Sequence, residues 1–110
     1  MSDNFSFSEF YQKTPIPIKE NVLLLLQSDD KFAVLSEQST HWLIALEGCE
    51  LGATPLQWRV GVYLSNQDGC FDYRLPYYRS TFVSTFNEAL EMLRVIERKA
   101  HQDELLMLHP

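Results

Sequence analysis

Arginine and aromatic side chains are interleaved just past the middle of this 110-residue chain. Three arginines, Arg59, Arg74 and Arg79, lie close in sequence to Tyr63 and Tyr78. A guanidinium can fork onto a carboxylate or lie over an aromatic ring, and arginine and tyrosine are residue types that anchor protein interfaces. Aromatic rings with interleaved arginines can also stack on unpaired bases. These five residues are therefore the candidate binding residues.

The side chains that could do catalysis are few, and their spacing selects no reaction. Cys70 and His41 would form a nucleophile–base pair if their strands were adjacent, but a lone cysteine is far more often a packing residue. Carboxylates for acid–base work are present at Glu47, Glu50 and Asp72, and nothing in their spacing singles them out. The chain has no Gly-x-Ser-x-Gly elbow, P-loop or dinucleotide fingerprint. We predict no catalytic residue and disfavour an enzyme.

Residues that bind metals do not occur at the spacing of a metal site. Cys49 and Cys70 are far apart in sequence, and the three histidines form no His-x-x-x-His pair. The segment 66–69 lacks the acids of a calcium loop. We therefore predict no metal and no cofactor, and we expect both cysteines to be free thiols, as a reducing compartment favours.

Charge and composition restrict the class of protein. The chain has a net charge of −6, with 45% hydrophobic and 22% charged residues, as in a folded globular domain. The negative charge makes nucleic acid a disfavoured partner and suits a soluble protein that meets a basic one. The longest apolar run, 22–26, is far shorter than the roughly 20 residues of a membrane span. Since the N-terminus also lacks the features of a secretory signal, we expect a cytoplasmic protein without membrane contact.

Two stretches with a period of two predict a β-hairpin that would position the arginines. Apolar side chains occupy every second position of residues 57–65 and of residues 70–77, so each stretch has one apolar face. Asp68-Gly69, between them, has the composition of a turn. A loop of residues 66–69 is the register that joins both apolar sets into one face, made of Trp58, Val60, Val62, Leu64, Phe71, Tyr73, Leu75 and Tyr77. Arg59, Gly61 and Tyr63 then share the opposite face, with Arg74 across from Gly61. Because Gly61 has no side chain, we expect another group to approach its backbone closely.

A long C-terminal helix is predicted to cover the apolar face of this hairpin. It begins near Thr85, which forms a capping box with Glu88. Its apolar stripe consists of Ala89, Leu93, Ile96 and Ala100. The tail, residues 105–108, is apolar, so we expect it to pack on its own domain or to form a homodimer contact.

The N-terminal half gives weaker signals. Residues 4–12 favour a short helix, because Phe7, Phe10 and Tyr11 have helical spacing. Residues 19–27 fit either a helix or a buried strand, and their leucines slightly favour the helix. Strands are predicted over 32–36 and 41–47, and a loop over 48–55.

These elements predict a single α+β domain spanning residues 1–110. Its antiparallel β-meander of three to five strands packs on the long C-terminal helix, with a short N-terminal helical segment alongside. The leading hypothesis for function is a small acidic, non-catalytic module that binds a protein partner, as inhibitors, adaptors and immunity-like or antitoxin-like proteins do. The alternative is a module that binds a small ligand or nucleic acid through the Arg/Tyr sheet face. A small enzyme is the third hypothesis.

Overall fold

The computed structural model describes residues 9–27, 39–50 and 56–105. In chain order the elements are β1 (Glu9–Gln12), β2 (Ile16–Pro17), α1 (Glu20–Gln27), β3 (His41–Cys49), β4 (Gln57–Ser65), β5 (Tyr78–Arg79) and α2 (Phe86–His101). The strands form one antiparallel sheet in the order β1-β3-β4-β5, and β2 also pairs with β3. The predicted α+β architecture is confirmed. The predicted strand at 32–36 lies outside the described residues.

The centre of the sheet is the long hairpin of β3 and β4. All nine residues of β3 pair with β4, from His41 opposite Ser65 to Cys49 opposite Gln57. The predicted strand at 41–47 is therefore confirmed, but Gly48 and Cys49 extend it into the predicted loop. Alternate side chains point to opposite sides of the sheet, which we call the helix face and the back face. The helix face carries Trp42, Ile44, Leu46, Val60, Val62 and Leu64, and the back face carries Leu43, Ala45, Glu47, Arg59, Gly61 and Tyr63.

Helix α2 packs on the helix face as predicted. Its N-cap is Thr85, whose hydroxyl accepts a hydrogen bond from the Glu88 N–H at 3.1 Å. The predicted stripe is the buried side of the helix, made of Ala89, Leu93, Ile96 and Ala100. Beyond the helix, Leu105 is buried in the same core, and the Tyr77 hydroxyl donates to its carbonyl at 3.0 Å. The start of the tail thus packs on its own domain, whereas residues 106–110 lie outside the described residues.

Helix α1 resolves the ambiguity of residues 19–27 in favour of the helix. Val22 and Leu26 are spaced by one helical turn and enter the core on the helix face of the sheet. Lys19, just before the helix, forms an ion pair with Asp103 at 3.1 Å. Neither α1 nor α2, the helices of the described ranges, is long and apolar enough to span a membrane.

The helix predicted over residues 4–12 is wrong for the described part, because Glu9–Gln12 is strand β1. This strand pairs with β3 and places Phe10 on the back face, where tertiary packing overrides the helical spacing. Gln12 pairs with Ala45 and Ile16 pairs with Trp42, so three residues of the N-terminal segment oppose two of β3. The extra residue is a β-bulge between β1 and β2.

The predicted pairing of residues 57–65 with 70–77 is also wrong. Strand β4 pairs with β3 along one edge and with β5 along the other, and Phe71 forms only an isolated bridge with Ser65. The segment between β4 and β5 forms turns in which side chains bond to the backbone. Asn66 Oδ1 accepts from the N–H of Cys70 at 3.0 Å, and Asp72 Oδ1 accepts from the N–H of Arg74 at 3.0 Å. Such side-chain bonds compete with a strand ladder.

This correction moves two aromatic side chains to the other side of the sheet. Phe71 and Tyr73, predicted for the helix face, pack on the back face against Tyr63. Tyr77 does lie in the helix-face core, as predicted, whereas Leu75 is exposed. The segment that contains Phe71 and Tyr73, which the sequence predicts to be a further strand, therefore covers the back face.

Candidate functional site

A fully buried carboxylate, that of Glu47, lies at the centre of the back face. Its exposed fraction is 0%, and its Oε1 lies 2.8 Å from Nε of Arg59, directly across the β3–β4 ladder. The Tyr63 hydroxyl donates to the other oxygen at 2.5 Å, and Nε of Arg79 lies 3.9 Å from Oε1. These four residues, Glu47, Arg59, Tyr63 and Arg79, form what we call the buried ion cluster.

Gly61 makes room for the Glu47 carboxylate. A Cβ built on Gly61 would overlap Oε2 of Glu47 and would lie only 2.8 Å from its Cδ. The close approach predicted at Gly61 is thus present, and the approaching group is a side chain of the neighbouring strand. In the sequence, Glu47 is only one of several carboxylates, because no local pattern indicates that β3 pairs with β4.

Arg79, and not Arg74, lies across from Gly61. Its Nη2 donates to the Tyr63 hydroxyl at 3.1 Å and to the Tyr73 carbonyl at 2.7 Å. Its Cζ lies 5.8 Å from the centroid of the Tyr63 ring, within the range of a cation–π contact. The predicted position of Arg74 is wrong because it depended on the incorrect hairpin. Arg74 is exposed and bonds the Asp72 carboxylate at 3.1 and 3.2 Å.

Aromatic rings cover the buried ion cluster from outside. The Phe71 ring lies 4.7 Å from the Tyr63 ring and 5.7 Å from that of Phe10, and the Arg59 guanidinium lies 4.6 Å from the centroid of Phe82. Tyr63 consequently has an exposed fraction of 0%.

The structure therefore brings three of the five candidate binding residues together and leaves two apart. Arg59, Tyr63 and Arg79 share the buried ion cluster. Tyr78 pairs with Val62 and packs half-buried on the main core, whereas Arg74 is exposed. A contact between any of the five and a partner stays a prediction.

Burial keeps two groups in or beside the buried ion cluster protonated, the Tyr63 phenol and the Cys49 thiol. Burial, and then the hydrogen bond to Glu47, raises the pKa of Tyr63 far above its ordinary value. Burial also raises the pKa of the Cys49 thiol, against the smaller opposing effect of Arg59. A neutral phenol and a protonated, buried thiol are poor nucleophiles at neutral pH. Neither group is therefore an activated nucleophile in the folded protein.

The cysteine–histidine pair considered from the sequence does not form among the described residues. Cys70 is an exposed free thiol in the turn after Gly69, and Cys49 is free and buried. The Nδ1 atom of His41 is hydrogen-bonded with the Thr40 hydroxyl at 2.8 Å. Among the described residues, no hydrogen bond therefore joins His41 to Cys70.

A second group of side chains, which sequence reasoning misses, lies at the surface. The rings of Tyr11, Trp58 and Phe86 contact one another, with centroid distances of 6.3 Å for Tyr11–Trp58, 6.0 Å for Tyr11–Phe86 and 5.0 Å for Trp58–Phe86. Tyr11 is 51% exposed and Phe86 38% exposed. The Tyr11 hydroxyl donates to the Glu9 carboxylate at 2.6 Å. We call these three rings the surface aromatic cluster. The sequence pattern hides it, because the spacing around Tyr11 favours a helix and the alternation places Trp58 in the core.

Two further features of the described ranges bear on a metal site or a small-ligand site. No group of three or more His, Cys, Asp or Glu side chains there is arranged to hold a metal ion. A depression of about 540 Å³ lies along the C-terminal half of α2, lined by Arg94, Glu97, Arg98, His101 and Gln102. Its lining residues all have charged or polar side chains and come from one helix end, whereas ligand pockets are lined mostly by hydrophobic and aromatic residues. Comparison of the chain with family models, curated proteins and solved structures finds no match in any of the three.

Proposed function

We propose that this protein is a small, non-catalytic module that binds a protein partner through the surface aromatic cluster. The observation that carries the proposal is the exposure of Tyr11 and Phe86 beside Trp58, at a surface where three elements meet. Tyrosine and tryptophan are enriched at interface hot spots, because they bury a large rigid area at little entropic cost. The surface aromatic cluster, which contains both residue types and has two exposed rings, is therefore the best-supported contact surface.

The arrangement of the polar groups supports a binding role over a catalytic one. Glu47, Arg59 and Tyr63 are buried and bonded to one another, and Cys49 is buried as well. A general acid, base or nucleophile must reach its substrate, so these groups would need a large rearrangement before they could act. The same burial disfavours the nucleic-acid alternative, because a base could stack on Tyr63 only after Phe71 moved away.

The proposal includes a basic partner and a cytoplasmic location. A net charge of −6 favours association with a positively charged surface. Two free cysteines, one of them exposed, suit a reducing compartment. An inhibitor, an adaptor or an immunity-like protein would fit this description.

Site-specific photo-crosslinking tests the proposal directly. The variant Tyr11→p-benzoylphenylalanine carries the crosslinker in the surface aromatic cluster, and the same replacement of Val95 is the matched control, because Val95 is an exposed apolar residue elsewhere on α2. We expect a protein that is captured from cells through position 11 and not through position 95. Capture of a second copy of this chain would instead identify a homodimer.

The captured protein must then bind through the cluster when purified. We expect Phe86→Ser to weaken its affinity by about tenfold or more, equivalent to about 1.4 kcal/mol, and Val95→Ser to leave the affinity unchanged. Equal affinities for the unaltered chain, Tyr11→Ser and Phe86→Ser would contradict the proposal. Thermal unfolding of each variant shows whether the fold is intact.

A further inference from the structure

We infer that the surface aromatic cluster receives a cationic side chain, lysine or arginine, from the partner protein. The inference rests on the proposed function and specifies the chemistry of the contact. It is carried by the Glu9 carboxylate, which lies beside the aromatic rings, and by the charges around them.

The rings offer the electrostatic surface that attracts cations. Phe86 is nearly perpendicular to both partners, at 88° to Tyr11 and 87° to Trp58, whereas Tyr11 and Trp58 are tilted by only 23°. The cluster thus combines ring faces in two directions, and the face of an aromatic ring carries partial negative charge. A guanidinium or ammonium within about 6 Å of a ring centroid is attracted to that face.

Glu9 adds a full negative charge at the rim of the rings. Glu9 and Tyr11 are two residues apart in β1, so their side chains lie on the same side of the sheet. The carboxylate accepts the phenol hydrogen at 2.6 Å, which raises the pKa of Tyr11 and keeps the phenol neutral. A cation over Tyr11 would therefore meet the ring and the carboxylate together.

The neighbouring charges also favour a cation. Glu88 lies in the first turn of α2, two residues after Phe86. Lys13, two residues after Tyr11, forms an ion pair with Glu97, with its ammonium 3.9 Å from the carboxylate. Glu9 thus supplies a carboxylate at the rings and Glu88 a second one close in sequence to Phe86, in a chain that is acidic as a whole.

A purely apolar occupant fits this surface less well. It would pack on the rings, but it would also remove water from the Glu9 carboxylate without supplying a counter-charge, which is costly. An anionic occupant would be repelled by the same carboxylate. A long basic side chain satisfies both requirements, since its methylene stem packs on the rings while its charged end meets Glu9.

Short peptides that differ only in charge test the inference without the natural partner. The intact chain is titrated with acetyl-Gly-Gly-Arg-Gly-Gly-amide and with the same peptide carrying citrulline, the neutral isostere of arginine. Aromatic NMR signals of Tyr11, Trp58 and Phe86 report binding. We expect the arginine peptide, and its lysine counterpart, to shift these signals in a saturable way, and the citrulline peptide to leave them in place.

Two glutamate variants that change the net charge equally distinguish binding at this site from nonspecific electrostatic attraction to the protein. Glu9→Gln should weaken binding of the arginine peptide about two- to fivefold, and Tyr11→Leu should do the same, in line with exposed cation–π contacts. Glu91→Gln, which alters an exposed carboxylate on α2, should leave binding unchanged. Equal shifts with the citrulline peptide, or an equal effect of Glu9→Gln and Glu91→Gln, would overturn the inference.

The purified partner distinguishes this inference from the proposed function. If Phe86→Ser weakens the partner's binding and Glu9→Gln does not, the cluster is the interface and the cationic contact is refuted. If the arginine peptide binds at the cluster but no protein is captured through position 11, the cationic site stands and the protein-binding function is refuted.

Discussion

The carboxylate of Glu47 fills the space beside Gly61 in which the Cβ of any other residue would lie. The two residues belong to adjacent strands. Because Gly61 has no side chain, the carboxylate can occupy this space, and because the carboxylate is there, no larger residue fits at position 61. The buried ion cluster therefore depends on a position that carries no functional group.

The first prediction concerns this coupling. Gly61→Ala should lower the free energy of unfolding by about 1–3 kcal/mol, because the new methyl group overlaps the carboxylate. In a Glu47→Ala background the same substitution should cost less, with a coupling energy of at least about 0.5 kcal/mol. Urea unfolding of the four proteins measures both values. Strictly additive effects would show that the two side chains do not share this space.

The second prediction concerns the contribution of the Glu47 carboxylate to stability. Glu47→Ala should destabilise the protein by about 3–5 kcal/mol, because it leaves the buried Arg59 guanidinium without its counter-charge. Glu91→Ala is the control, since Glu91 bonds Arg94 at 2.9 Å in an exposed pair, and such pairs contribute less than about 1 kcal/mol. Similar losses for both variants would contradict the burial of the cluster.

The third prediction concerns alkaline pH. Burial and Glu47 raise the pKa of Tyr63 in the folded state, so the folded protein retains this proton more tightly than the unfolded chain does. The resulting stability is complete below the unfolded pKa of about 10 and is lost as the pH rises above it. Absorbance titration of the five tyrosines should show that Tyr63 ionises well after the exposed Tyr11. Tyr63→Phe should remove this late step; ionisation of Tyr63 together with Tyr11 would refute the prediction.

The fourth prediction concerns the packing of α2 on the sheet. Leu93 is buried on the helix face, so Leu93→Ala should cost about 2–5 kcal/mol in urea unfolding. Val95, two positions further, is exposed, and Val95→Ala should change stability by no more than about 0.5 kcal/mol. A loss below about 0.5 kcal/mol for Leu93→Ala would reject the packing of this helix against β3 and β4.

The fifth prediction concerns the two thiols. In the folded protein Cys70 should react quickly with a thiol reagent and Cys49 slowly, because Cys49 is buried and its burial raises its pKa. Under denaturing, non-reducing conditions both should react. Cys70→Ser should remove the fast phase alone. A fast phase that survives this substitution would place Cys49 at the surface.

The elements that could be predicted are those whose local signals agree with their packing. The capping box at Thr85, the apolar stripe through Leu93 and the alternation of β4 all describe the structure correctly. The stripe and the apolar set of β4 both lie in the contact between α2 and the sheet, so the sequence and the tertiary contacts favour the same conformation.

The hairpin partner could not be predicted from alternation alone. Phe71 and Tyr73 alternate because both pack on the back face of the sheet, and this spacing resembles that of a strand. Pro76 lies within the predicted strand and has no N–H for a ladder, a signal that disfavours the assignment. The buried ion cluster depends on the register of β3 against β4, which joins residues 12 to 16 positions apart, so no local pattern marks it.

The β-bulge between β1 and β2 determines which side of the sheet each half of the N-terminal segment can reach. Phe10 and Ile16 are an even number of residues apart and would share one side of an unbroken strand, yet Phe10 covers the back face and Ile16 enters the helix-face core. The extra residue of the bulge places Phe10 and Ile16 on opposite sides of the sheet, so this one segment packs on the core of each side. Removal of one residue between Gln12 and Ile16 would leave Phe10 and Ile16 an odd number of positions apart, so a regular strand without the bulge would still direct them to opposite sides of the sheet, whereas removal of two would direct both to the same side. The bulge therefore lets the longer segment reach the same two cores that a segment one residue shorter would reach without it.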